Sequence, residues 1–196
     1  MLNAANRIFG SIDGYFDRSA GPGSTISEDL YSQQAVNISY PLALLMIDLD
    51  RFKPINESLG HEIGDRLLKL AADRISHCGP GEESLARVGG DEFALVLDNC
   101  GGEPQIGALC QKIINAMKKP FLIDSHELLL GASIGISLFP STAMDAQPMI
   151  NQADMAVHQA KRSGGNNYQF YRSGMQVASV EQLALETSLR KAIFKN

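Results

Sequence analysis

Arg87-Val88-Gly89-Gly90-Asp91-Glu92-Phe93 is the stretch that decides how this chain of 196 residues folds. It sits between two short runs that read as strands, Ser84 to Val88 and Phe93 to Leu97, so Gly89-Gly90 falls where a tight hairpin turn is expected. A two-residue turn of the primed type needs positive φ, which glycine supplies without a Cβ clash. The turn alone says little about function. Asp91-Glu92 says more, because two adjacent carboxylates enter a strand whose continuation, Phe93 to Leu97, is wholly apolar. Asp and Glu are poor strand formers and costly to bury unpaired. A glycine turn lets a large anion approach the backbone, and a carboxylate beside it can hold a hard cation through oxygen. The pattern suits a metal-bound polyphosphate.

Upstream of the hairpin, Pro41 to Ile47 is an almost unbroken apolar run, as expected of a central strand covered on both faces, and it delivers Asp48 and Asp50 at its end. A short connection leads to His61 to His77, where Ile63, Leu67, Ala71 and Ile75 recur every fourth residue and predict an amphipathic helix stopped by Gly79-Pro80. Downstream, Ile106, Leu109, Cys110, Ile113 and Met117 predict a second helix over Pro104 to Met117. Phe121 to Asp124 and Leu128 to Leu138 read as strands, Met149 to Lys161 as a third helix, and Asn167 to Tyr171 as a closing edge strand. Ahead of this core, Ile8, Phe9, Ile12 and Phe16 predict a helix over Asn6 to Phe16; residues 19–40 read as a loop with a short helical piece over Glu28 to Gln34. Behind it, Leu183, Leu185, Leu189 and Ile193 predict a last helix over Ser179 to Phe194. The strand-helix-strand-strand-helix-strand order resembles the ferredoxin-like βαββαβ palm of nucleotidyl cyclases, an α+β fold whose central, mainly antiparallel sheet is flanked by helices.

With 17 basic against 22 acidic residues the net charge is -5, which argues against a general nucleic-acid or membrane-surface role. A nucleotide has to be held locally. Cys78, Cys100 and Cys110 are odd in number and contain no Cys-x-x-Cys pair, so neither a disulfide framework nor a zinc site is indicated. No apolar run approaches the roughly 20 residues needed to span a bilayer. A cytoplasmic domain is expected, within a parent protein that can itself be membrane-anchored.

Gly89-Gly90-Asp91-Glu92-Phe93 spells the signature of the GGDEF family, the diguanylate cyclases. Asp48-Leu49-Asp50-Arg51-Phe52-Lys53, then Asn56, Gly60-His61 and Gly64-Asp65, resemble the family's second motif at the right spacing. Ser133-Ile134-Gly135-Ile136-Ser137 and the segment from Ala153 to Lys161 look like later family segments, and the resemblance covers roughly Asn6 to Tyr171. Residues 1–172 are thereby read as the GGDEF domain. Residues 173–196 are read as a linker helix, since Leu183 to Phe194 resembles the segment that opens an EAL phosphodiesterase domain in tandem proteins.

The resemblance implies condensation of two GTP into cyclic di-GMP and two pyrophosphates, with Mg2+ or Mn2+, at the interface of a transient homodimer. It implies Asp48, Asp91 and the Leu49 carbonyl as metal ligands, with Asp91, Lys53 and Glu92 as catalytic groups. Asn56 and Asp65 match positions that read the guanine edge, and His61, Gly89 and Gly90 match further substrate contacts. Lys161 matches a lysine that reaches the terminal phosphates. Asp50 is expected to be structural, its side chain turned to the opposite face from Asp48, and Arg87 to be an ordinary strand residue.

Three departures from the family pattern stand out. Pro80-Gly81-Glu82-Glu83 replaces the Arg-x-x-Asp of the product-binding inhibitory site, Gly165 replaces a phosphate-facing arginine, and His158 replaces a tyrosine. They favour a weak enzyme or, as the alternative, a GTP-binding regulatory domain controlling a downstream EAL phosphodiesterase. An interaction-only domain is a third reading, which predicts no GTP binding.

Overall fold

The computed structural model describes residues 42–79 and 84–175. The expected helices over Asn6 to Phe16 and Ser179 to Phe194, the loop 19–40 with its helical piece, and Pro80 to Glu83 lie outside them.

The apolar run after Pro41 forms β1 (Leu42–Asp50), which continues two residues past Asp48 and so carries both aspartates inside the strand. The chain then makes α1 (Phe52–Leu59), α2 (His61–Ser76), β2 (Leu85–Arg87), β3 (Glu92–Asp98) and α3 (Glu103–Met117). A small hairpin, β4 (Phe121–Ile123) and β5 (His126–Leu128), precedes β6 (Gly131–Phe139), α4 (Ala146–Arg162) and β7 (Tyr168–Phe170). Two expectations are corrected here. The connection after Asp50 holds a helix, α1; and the strand expected over Leu128 to Leu138 is two strands in different sheets, parted at Leu129 and Leu130.

The main sheet has the order β2-β3-β1-β6-β7, with every pair antiparallel except β6 and β7. Through β1, α2, β2, β3, α3 and β6 the chain traces the expected βαββαβ unit, and α4 with β7 extends it by one parallel crossover. Side chains of β1 alternate between two cores. Ala43, Leu45, Ile47 and Leu49 pack with α2 and α3, represented by Leu67, Ala71, Ile106 and Ile113. Leu42, Leu44 and Met46 pack on the other face with Met149, Ala153 and Val157 of α4. Helices therefore cover both faces. Gly135 of β6 lets α4 lie directly on the sheet, since a Cβ there would come within 2.0 Å of the Ala153 carbonyl oxygen. Cys110 is fully buried in the first core, and burial pushes its thiol up to about 12, as suits an inert core residue.

Candidate active site

The site forms where the central strand runs out. Beyond Asp50 the backbone enters the left-handed region at Arg51, with φ 67° and ψ 16°, and α1 begins at once. Phe52 is buried beneath this turn, while Lys53 projects into solvent within 3.8 Å of Glu57. On the neighbouring strand Glu92 lies in register with Asp48, and the Leu49 amide donates to the Asp91 carbonyl at 3.1 Å. The end of β1 and the hairpin are thus fastened together.

The hairpin loop differs from the expected two-residue turn. Val88 and Gly89 amides both donate to the Glu92 carbonyl, at 3.0 and 3.3 Å, so the loop spans Gly89 to Asp91, and neither glycine has positive φ. A Cβ at Gly89 would instead crowd the Glu92 side chain, 2.4 Å from its Oε2 and 3.2 Å from its Cβ. Arg87 is more than a strand residue. Its Nε donates to the Gly89 and Gly90 carbonyls at 3.1 Å each, and Nη2 donates to Gly90 at 2.7 Å, which holds the loop in shape.

A cavity of about 730 Å3 opens beside this junction, walled by Asp48, Leu49, Asp50, Arg51, Lys53 and Asp91 on one side and by Lys161, Gly164, Gly165 and Asn166 on the other. Gly89 and Gly90 fall outside its lining. Asp48 is only 6% exposed and accepts a hydrogen bond from the Lys161 ammonium. Burial raises the Asp48 pKa above the ordinary carboxylate value; the Lys161 ammonium opposes that rise, and the charges of Asp91 and Glu92 add to it. Asp48 therefore feels two neighbouring carboxylates, Asp91 and Glu92, and is paired with one cation, Lys161. Among the described residues no group of three or more His, Cys, Asp or Glu side chains is placed to hold a metal ion by itself. Asp48, Asp91 and a main-chain carbonyl are nevertheless a fitting share for a hard cation that takes its remaining oxygens from a ligand or water.

Asp50 differs from its expected orientation. A strand has a period of two, so Asp48 and Asp50 share a face. Asp50 is structural for a different reason: its Oδ1 accepts from Ser133 Oγ at 2.8 Å and its Oδ2 from the Asn166 amide at 2.7 Å.

The expected base-reading residues lie apart from this cavity. The Asn56 amide is 3.0 Å from His61 Nδ1 across the α1–α2 junction. Asp65, exposed on α2, lines a separate groove of about 560 Å3 with Leu68, Lys69, Arg87 and Phe93. Glu92 borders a third, smaller cavity of about 130 Å3 with Asp48, Asp154, His158 and Lys161. Asp154 was not singled out by its residue type, yet it stands with His158 and Lys161 at helical spacing, a stripe that the sequence carries. Burial raises its pKa, and His158 opposes the rise.

Residues 26–167 match the family described as "Diguanylate cyclase, GGDEF domain". The chain belongs to the GGDEF family. Its GGDEF domain is 37% identical over 152 residues to "Cyclic di-GMP phosphodiesterase NbdA" of Pseudomonas aeruginosa, covering 78% of this chain and 19% of that protein. It is 38% identical over 162 residues to "Bifunctional diguanylate cyclase/cyclic di-GMP phosphodiesterase MucR" of the same organism, covering 82% and 23%. Among solved structures, the EAL/GGDEF domain protein from M. capsulatus superimposes with a TM-score of 0.63 at 36% identity, covering 68% of this chain and 86% of that one. The chain thus spans about a fifth of the length of these curated relatives. Among the described residues no helix is long and apolar enough to cross a membrane.

Proposed function

We propose that this GGDEF domain is a diguanylate cyclase, condensing two GTP into cyclic di-GMP with release of two pyrophosphates. The observation that carries the reading is the convergence of the buried Asp48, Asp91 and Lys161 on one cavity of about 730 Å3, room enough for a triphosphate. Asp48, Asp91 and the Leu49 carbonyl would hold Mg2+ or Mn2+, which when bound neutralises phosphate charge and polarises the α-phosphorus. The remaining work falls to the chain. Asp91 accepts the proton of a 3′-hydroxyl as its oxygen bonds the α-phosphorus and the bond to pyrophosphate breaks. Lys53, at the start of α1, offsets the charge that develops there, with Glu92 completing the acidic pair at the hairpin. Asn56, His61 and Asp65 select the base, because a carboxylate accepts from the guanine N1 and N2 donors that adenine lacks. Gly89 and Gly90 leave the nucleotide room to pass the hairpin, and Lys161 meets the terminal phosphates. One domain presents one GTP, so a second copy facing it in a transient homodimer supplies the other half of each bond.

Gly165 limits the rate in this reading. A forked cation there would add charge-assisted bonds of about 1.5–3 kcal/mol each, so its loss weakens GTP binding by roughly tenfold. Support for a second reading comes from the name of the first relative, a phosphodiesterase of which this chain spans 19%. In that reading the domain binds GTP and regulates a downstream EAL phosphodiesterase of the same cytoplasmic protein. Incubating the parent protein with GTP and Mg2+ and analysing the products separates the two. Slow formation of cyclic di-GMP supports the cyclase. GTP binding without product favours regulation, and absence of GTP binding removes both.

A further inference from the structure

We propose that Lys161 is an exchangeable counter-ion that makes divalent-cation binding at Asp48 depend on the nucleotide. The inference rests on the cavity being the metal and triphosphate site. Two aspartates of β1 share a face, and they are satisfied differently. Asp50 is tied by a hydroxyl and a backbone amide, both parts of the folded frame. Asp48, 6% exposed, is held by one ammonium at the end of a flexible side chain whose own exposure is 41%. Lys161 comes from the last turn of α4, where the helix end favours a cation.

An ammonium on Asp48 Oδ2 stands where a dication would bind and repels it. A cation arriving alone must displace Lys161 and leave that charge in the cavity beside it. A cation arriving with a triphosphate brings the displaced ammonium a new anionic partner, within the same walls that Lys161 already lines. Metal and nucleotide therefore help one another, and linkage makes the effect reciprocal. The buried carboxylate is never left without a positive partner, which would be costly.

The test is titration of Mn2+ by electron paramagnetic resonance, reading free Mn2+, on the wild type, Lys161→Met and Lys161→Arg. Without nucleotide, the wild type and Lys161→Arg should bind Mn2+ weakly and alike, and Lys161→Met roughly tenfold more tightly. A non-hydrolysable GTP analogue should tighten Mn2+ binding to the wild type by roughly tenfold and to Lys161→Met clearly less. Equal nucleotide-free affinity of the wild type and Lys161→Met, or no binding by either, overturns the exchange. Should Lys161→Met fail to give an intact melting transition, Lys161→Arg together with the wild type decides: tight nucleotide-free Mn2+ binding by the wild type overturns it. If the analogue binds to none of the proteins, the cyclase reading falls while the nucleotide-free comparison still stands.

Discussion

Asp48 and Asp50 are the same residue type on the same face of one strand, two positions apart, and they do opposite work. Asp50 accepts from Ser133 Oγ and from the Asn166 amide, so its charge ties β1 to β6 and to the loop after α4. Asp48 is more deeply buried, has a raised pKa and is balanced by the half-exposed Lys161 ammonium. The first carboxylate is spent on structure. The second is kept under electrostatic stress next to an open cavity, as binding sites often are. Asp48 sits opposite Ser133 and Glu92, yet the Ser133 hydroxyl donates diagonally to Asp50, which lies opposite Gly131 at the end of the strand, where the Asn166 amide also reaches it.

The largest effect is expected at Asp91, which shares the cavity with Asp48. Asp91→Asn should cut cyclic di-GMP formation by about 100- to 1,000-fold while leaving the melting transition near that of the wild type. Comparable turnover would remove Asp91 from the chemistry. Next in size, Asp50→Ala should lose about 3 kcal/mol of stability in denaturant titration, because two hydrogen bonds to a charged group disappear together. A loss under 1 kcal/mol would show that the tie is ornamental. Asp65→Ser should reduce the preference for GTP over ATP by roughly tenfold, since a hydroxyl replaces an acceptor-only carboxylate. An unchanged preference would free Asp65 from reading the base.

The smallest effect has the opposite sign from that at Asp50. A carboxylate whose pKa is higher in the folded state keeps its proton there after the unfolded chain has lost it, so stability falls as pH rises through the window above 3.8. Asp48→Asn should therefore be slightly more stable than the wild type at neutral pH, with the advantage shrinking as pH approaches 3.8. Thermal melts across that range check it. If Asp48→Asn destabilises like Asp50→Ala, the distinction between the two aspartates is wrong.

Much of this was legible in the sequence, for physical reasons that also explain what was not. β1 and α2 announce themselves because one is buried on both faces and the other follows a helical repeat through Leu67, Ala71 and Ile75. α1 is hidden because only Phe52 of it is buried, and because it starts from a left-handed Arg51 without a side-chain cap. Leu128-Leu129-Leu130 conceals the break between β5 and β6, since Leu129, 62% exposed, is apolar without being part of the core. The pair Gly89-Gly90 signals a hairpin correctly, but neither glycine takes the positive φ that a primed two-residue turn needs. In the site, a strand's period of two places Asp48 and Asp50 on one face, against the expectation of opposite faces. The contacts of Lys161 with Asp48 and of Asn166 with Asp50 join residues more than a hundred positions apart, and no local pattern encodes them.

Gly135 has a consequence of a genetic kind. Any side chain there would push against the backbone of α4 at Ala153 and Val157, at 2.0 and 2.3 Å, with no flexible neighbour to give way. The helix that would have to move is the one that carries Lys161. A change at position 135, in the middle of the sheet and away from every carboxylate of the cavity, would then score in a screen for signalling output as though the active site itself had been hit.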